Sequence, residues 1–182
     1  MKRVALYGGS FDPPHIAHEA IVTALCNLDF IDKVIIMPTY LNPFKESATA
    51  PAELRLKWLK SIFSDFENVE ISDYEVKKGQ KVPTIQSVRH LLKIYDKLYL
   101  VIGADNLASL HKWYNYDELK KSVTFIVASR DNIEIDDAYI ELKIDEGISS
   151  TALRENLDIS KLPKKCAQEI AHYYKEHNAK QN

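Results

Sequence analysis

The stretch Arg3-Val4-Ala5-Leu6-Tyr7-Gly8-Gly9-Ser10-Phe11-Asp12-Pro13-Pro14-His15-Ile16-Ala17-His18 decides the fold class. Its first five residues read as a strand buried on both faces of a parallel sheet, because the apolar run is continuous rather than alternating. Ile21, Ala24, Leu25 and Leu28 then recur at helical spacing. The glycines therefore fall in a strand-to-helix turn. Glycine lets the backbone approach a ligand closely, and the free amides and positive dipole end of the next helix favour anionic oxygens. His15 and His18 lie three apart in the first helical turn and share a face of it. Gly8, Gly9, Ser10, Phe11, His15 and His18 are thus candidates for holding the phosphates of a nucleotide. The plainer alternative is a tight turn whose histidines only cap a helix, and the rest of the chain weighs between them.

Further strand-like runs occur at 33–37, 69–72, 98–102 and 123–128, after the first at 3–7. Helical stripes separate or follow them: Leu59, Ile62, Phe63 and Phe66; Val88, Leu91, Leu92 and Tyr95; Cys166, Ile170, Tyr173 and Tyr174. This alternation predicts an α/β fold: a Rossmann-like, doubly wound parallel sheet with helices on both faces and a small C-terminal helical portion. Such sheets bind ligands beyond the carboxyl ends of their strands, at the point where strand order reverses. At 182 residues, 1–182 is expected to form one nucleotide-binding domain, since a chain of this length buries about 70% of its unfolded surface. The longest irregular connection, 38–51, is long enough to act as a substrate lid, and 131–137 is an acidic loop.

Composition narrows the partners. Lysine plus arginine number 24 and aspartate plus glutamate 26, a net charge of −2, so no general field favours nucleic acid or a membrane surface. Any phosphate site must be local. Cys26 and Cys166 belong to no metal-binding or redox spacing and read as reduced core thiols on helices. The first residues run into a strand without a signal-peptide pattern, and no apolar stretch approaches bilayer length. A cytoplasmic protein is expected, and self-association is left open.

Three other segments carry chemistry. Lys45 ends Pro38-Thr39-Tyr40-Leu41-Asn42-Pro43-Phe44-Lys45, a proline-stiffened loop after the second strand, and is read either as a solvated charge or as a phosphate contact. Arg55, two residues after Glu53, is a secondary candidate that a surface ion pair explains equally well. In Ile102-Gly103-Ala104-Asp105-Asn106, Gly103 and Asp105 just past a strand suit a ribose contact, with helix capping as the alternative for Asp105. Trp113, in Trp113-Tyr114-Asn115-Tyr116, suits a stacking platform for a flat ring or a place in the core. Near the C-terminus, Gly147-Ile148-Ser149-Ser150-Thr151-Ala152-Leu153-Arg154 gathers Ile148, three hydroxyls and a guanidinium at a helix start. That combination predicts anion binding beyond what one capping serine needs. Arg130, after the fifth strand, adds a further positive charge.

The first segment resembles the Gly-x-Phe-Asp-x-x-His-x-Gly-His signature of the nucleotidyltransferase superfamily, departing from it at Ala17. With Asn42-Pro43-Phe44-Lys45, Ser72-Asp73-Tyr74-Glu75, Gly103-Ala104-Asp105 through Trp113, and Ile148-Ser149-Ser150-Thr151 with Arg154, nearly the whole chain is similar to the bacterial nicotinate mononucleotide adenylyltransferase family. Pro83-Thr84-Ile85 matches the family's aromatic-Thr-Ile segment except for the proline. The resemblance implies adenylyl transfer from ATP to nicotinate mononucleotide, giving nicotinate adenine dinucleotide and pyrophosphate. It implies catalytic roles for His18, His15, Lys45 and Arg154. ATP would meet Gly8, Gly9, Ser10, Phe11, His15, His18, Gly103, Asp105, Ile148, Ser149, Ser150, Thr151 and Arg154. Nicotinate mononucleotide would meet Ser10, Lys45, Thr84, Asp105, Trp113 and Arg130. The chain shows no dedicated carboxylate cage, so Mg²⁺ is expected to arrive mainly on ATP oxygens and water.

The chemistry is economical because a phosphomonoester's second pKa is about 6, so the attacking phosphate is already largely ionised at neutral pH and needs no strong protein base. Two other enzyme classes share the histidine signature. Phosphopantetheine adenylyltransferases normally lack the Gly-Ala-Asp to Trp segment, and class I aminoacyl-tRNA synthetases carry a Lys-Met-Ser-Lys-Ser run and nucleic-acid-binding features absent here. A non-catalytic nucleotide sensor, to which Ala17 and Pro83 would point, is the reading from a different class.

Overall fold

A computed structural model of the chain describes residues 1–130 and 132–181; Asp131, the first residue of the expected acidic loop, lies outside them, as does Asn182. Six parallel strands form one sheet: β1 (Arg3–Gly9), β2 (Lys33–Pro38), β3 (Val69–Ile71), β4 (Lys97–Gly103), β5 (Thr124–Ala128) and β6 (Ile140–Leu142), in the order β3-β2-β1-β4-β5-β6. Strand order reverses between β1 and β4, where Leu6 lies opposite Leu100 and Tyr7 opposite Val101. That is the switch point at which a crevice opens.

Every central strand is apolar on both faces because both faces are covered. Val4, Leu6, Ile35, Met37, Leu98, Leu100, Ile102, Phe125 and Val127 pack under α4 (Thr84–Leu91), a 3₁₀ segment (Ala104–Lys112) and α5 (Tyr116–Ser122). Ala5, Tyr7, Val34, Ile36, Tyr99, Val101 and Ile126 alternate to the other face, under α1 (Ile16–Cys26), α2 (Ala52–Ile62), α6 (Ser150–Glu155) and α7 (Ala167–Gln181). Each fully buried Leu or Ile contributes about 1.5–3 kcal/mol of transfer free energy. A one-residue slip of β1 would exchange its two faces, so packing also fixes register. A short α3 (Tyr74–Lys78) precedes α4 and ends at Gly79, whose φ of 62° is the left-handed conformation glycine adopts without a Cβ penalty.

The doubly wound expectation and the C-terminal helical portion hold. The expected set of strands lacked β6, which pairs Ile140 with Ile126 and Leu142 with Ala128 at the sheet edge. Cys166 is buried but lies in the turn before α7 rather than on a helix, and Cys26 ends α1. Among the described residues, no helix is long and apolar enough to cross a membrane.

Candidate active site

Beyond the carboxyl ends of β1, β4 and β5 lies a cleft of about 700 Å³. Gly8, Gly9, Ser10, Phe11, His15, Ala17 and His18 line it from the β1–α1 side, Lys45 from the loop after β2, and Thr84 from the start of α4. Gly103, Asp105, Trp113 and Arg130 come from the β4 and β5 ends, and Ile148, Ser149, Ser150 and Thr151 from the C-terminal segment. Segments far apart in sequence therefore converge on one crevice.

Local backbone needs shape the first turn. Phe11, not a glycine, takes the left-handed conformation, with φ of 48°. Its ring then lies so close to Gly9 that a Cβ there would meet it at 3.2 Å. The ring also packs edge-on against His18, with centroids 4.8 Å apart, while His15 stacks on the other ring at 3.7 Å and 20°. His15 is the N-cap residue of α1, and its backbone N–H donates to His18 Nδ1 over 3.1 Å. Burial pushes the His15 pKa down to about 4, with Arg130 adding to the effect. His18 is lowered well below its ordinary value by burial first, then by His15 and Arg130. A neutral imidazole whose Nδ1 accepts must carry its proton on Nε2. His18 is thereby a fixed hydrogen-bond donor in the cleft.

Asp12 organises the backbone behind the histidines. It is buried, and its carboxylate accepts from Thr49 N at 2.7 Å, from Ala50 N at 2.9 Å and from the Tyr174 hydroxyl. Arg55 is fully buried, so neither the surface ion pair nor ligand contact describes it. Its guanidinium donates to the carbonyls of Ala50 (2.9 Å), Ser10 (2.6 Å), Thr39 (2.8 Å) and Tyr40 (2.9 Å). Both ends of the 38–51 connection are thus tied to the first turn. Asn42 folds the loop tip by accepting from Phe44 N at 2.9 Å, and Lys45 follows at the cleft wall. Desolvation, then the positive charge of Arg154, lowers the Lys45 pKa.

At the β4 end, Asp105 makes no helix-capping bond; its Oδ2 pairs with Arg130 Nη1 at 3.4 Å. A Cβ at Gly103 would fall 2.5 Å from Asp105 Oδ1, so glycine is what lets that carboxylate fold over the strand end. Trp113 is half-buried: one part packs on the core beside α4, and the ring edges the cleft. The core alternative describes the packed part of the side chain, and the remainder lines the cleft.

In the C-terminal segment, Ser149 is the N-cap of α6, accepting from Ala152 N at 3.1 Å, and Ser150 Oγ donates to Pro13 O at 2.8 Å. Arg154 is not a lining side chain of the cleft. Its guanidinium donates to the Asp12 carbonyl and, at 3.3 Å, to Thr151 Oγ1, joining α6 to the first turn. Sequence reasoning passed over Glu75 and Ser87, which also line the cleft: Ser87 Oγ donates to Glu75 Oε1 at 2.6 Å, both residues are buried, and Glu75 Oε2 has no partner. Glu75 appeared in the sequence only as part of a matched segment; its place among Tyr74 and Val76, at the start of a short helix, gave no sign of burial. No three His, Cys, Asp or Glu side chains converge as a metal site among the described residues.

Residues 6–156 match the family model described as cytidylyltransferase-like. A protein of Sulfurimonas denitrificans named "probable nicotinate-nucleotide adenylyltransferase" is 61% identical over 180 residues, 99% of each chain. One of the same name from Campylobacter fetus is 49% identical, covering 97% of this chain and 99% of its own. The fold is similar to that of the Plasmodium falciparum nicotinic acid mononucleotide adenylyltransferase solved in complex with NaAD, with a TM-score of 0.79 at 22% identity over 98% of this chain and 97% of that one. At this identity over nearly its whole length, the chain belongs to the nicotinate-nucleotide adenylyltransferase family.

Proposed function

We propose that this chain transfers the adenylyl group of MgATP to the 5′-phosphate of nicotinate mononucleotide. A phosphate oxygen of the acceptor forms a bond to the α-phosphorus as the bond from that phosphorus to the α–β bridging oxygen breaks. Pyrophosphate leaves, and nicotinate adenine dinucleotide remains. The acceptor is already ionised, so the protein's task is alignment and stabilisation of charge on the phosphoryl oxygens. His18, neutral and with Nδ1 committed to the backbone, donates Nε2–H to an α-phosphate oxygen. That committed tautomer is the observation that carries the proposal, since a donor fixed before substrate arrives needs no reorganisation.

His15, Ser10 and Lys45 are assigned to the incoming and leaving phosphates, with the glycine turn of Gly8, Gly9 and Phe11 beneath them. The amides of Ile148, Ser149, Ser150 and Thr151 and the hydroxyls of Ser149 and Thr151 serve the β and γ phosphates, Ser150 Oγ being held by Pro13 O, and Arg154 contributes from behind through its positive charge and its grip on Asp12. Asp105 accepts from ribose hydroxyls beside Gly103, while Thr84, Trp113 and Arg130 hold the pyridine half. The cation would travel with the triphosphate, where it would neutralise phosphate charge. The test is incubation with ATP, Mg²⁺ and, in separate reactions, nicotinate mononucleotide, nicotinamide mononucleotide or phosphopantetheine, with products identified by mass. Nicotinate adenine dinucleotide as the dominant product supports the proposal. A dominant phosphopantetheine adduct, or no adenylylated product from any acceptor, overturns it.

A further inference from the structure

Glu75 is the one buried carboxyl in the cleft wall, 6% exposed, whose Oε2 meets no donor among the described residues. Its Oε1 is pinned by Ser87, on the same helix whose first turn carries Thr84. The first amides of α4 have no intrahelical acceptor, so that end of the wall favours an anion. A carboxyl kept there without a cation is an arrangement that folding alone does not explain, because an unpaired buried polar atom is destabilising.

We propose that Glu75 is a specificity-determining residue that donates a hydrogen bond from Oε2–H to the carboxylate of the pyridine ring. The inference rests on the functional reading above and names one more contact within it. Burial raises the Glu75 pKa to about 7 against the opposing hydrogen bond from Ser87, so the donor form is available at neutral pH. An adjacent substrate carboxylate favours that form further, since two like charges resist each other. Nicotinamide mononucleotide presents an amide, gains less from this donor and carries no charge to hold the proton in place.

The charged groups on the surrounding elements are engaged elsewhere. On α3 and its cap, Lys77 pairs with Asp73 at 2.9 Å and Lys78 lies over the Tyr74 ring. On α2, Arg55 serves four carbonyls with Glu53 acting on its charge, Lys57 pairs with Glu169, and Lys60 acts on Asp73. On α4, Arg89 pairs with Glu118 and His90 stacks on Tyr74; on β2, Lys33 pairs with Glu70. Among the described residues none forms an ion pair with Glu75.

The test is the ratio of kcat/KM for nicotinate over nicotinamide mononucleotide, measured from about pH 6 to about pH 8.5 in the wild type, Glu75→Gln and Glu75→Leu. Both acceptors carry the same phosphate, so its titration cancels in the ratio. The wild-type ratio should fall about tenfold across this range as the donor ionises. Glu75→Gln, whose amide keeps a donor, should give a pH-independent ratio, and Glu75→Leu a ratio about tenfold lower than wild type at the acid end. A wild-type ratio that is flat with pH, or equal losses for both acceptors in Glu75→Leu, overturns the proposal and makes Glu75 a ribose contact or a structural group. If Glu75→Leu fails to fold, the wild type and Glu75→Gln profiles decide alone. If the wild type makes dinucleotide from neither acceptor, the functional reading itself falls and this inference with it.

Discussion

At His18, the backbone N–H of His15 occupies Nδ1 while Phe11 and His15 cover the ring, so the proton resides on Nε2 across the neutral range. Removing one fixed donor of this kind costs about 10²–10³ in rate. We therefore expect His18→Ala to lower kcat by that factor in a protein that still folds but melts at a lower temperature, and His18→Gln, which keeps an N–H, to lose less activity; steady-state kinetics with thermal melts checks both. Burial of the two histidines also sets a pH dependence of stability. The His15 pKa falls from 6.5 to about 4 on folding, so the unfolded chain binds more protons between those values. Stability is then full above 6.5 and is lost as pH falls through about 4, a trend that urea midpoints at stepped pH would record. Glu75 acts in the opposite direction, since its pKa rises from 4.5 to about 7 and its contribution is lost as pH climbs through about 7. The histidine pair was legible in the sequence because three-residue spacing on a helix start is local. Arg55 was not: its four carbonyl partners come from Ser10 and from the 38–51 connection, whose path no periodicity encodes. Arg55→Met should destabilise by about 3 kcal/mol or more, because it leaves those carbonyls buried and unpaired. Equilibrium urea unfolding measures this directly.

Elements far from the chemistry hold its backbone in place. α7 closes over the face of the sheet that it shares with α1 and α2 through Ile170, Ala171 and Tyr174, and the Tyr174 hydroxyl reaches Asp12 while Tyr173 donates to Thr49 O at 3.1 Å. Tyr174→Phe keeps the ring and removes one bond to a carboxylate, which is worth about 1.5–3 kcal/mol. The expected outcome is a stability lower by that amount in urea unfolding together with a raised KM for ATP, because the Asp12 carboxylate also fixes Thr49 and Ala50. At the end of β4 the opposite separation should appear. Gly103→Ala places a methyl against the Asp105 carboxylate and not against backbone, so the fold should survive while KM rises through displacement of Asp105. The strands of the sheet centre were legible because burial on both faces makes their apolar runs continuous. β6 escaped notice because it is three residues long at an edge, although Ile140, Leu142 and Ile144 alternate as an edge strand should.

For the molecule as a whole, two apolar layers share a single sheet, and the C-terminal helices complete the layer under α1 and α2 instead of forming a core of their own. We propose that 1–182 unfolds as one cooperative domain, with calorimetric and van't Hoff enthalpies equal; two resolved transitions would contradict it. Convergence of the cleft was legible only in outline. Parallel β/α alternation located it at strand ends, whereas the distribution of labour within it depended on tertiary contacts, so Arg154 turned out to grip Asp12 and Ser149 to cap α6. We propose that transfer is direct, without a covalent enzyme intermediate, and aided by donors already in place. ATP labelled at its α-phosphorus, supplied with Mg²⁺ and nicotinate mononucleotide and followed through a single turnover, tests it. The label should pass directly into nicotinate adenine dinucleotide, one pyrophosphate being released for each dinucleotide formed and none of the label remaining on protein. Label trapped on a histidine, or released as AMP ahead of the dinucleotide, would contradict it.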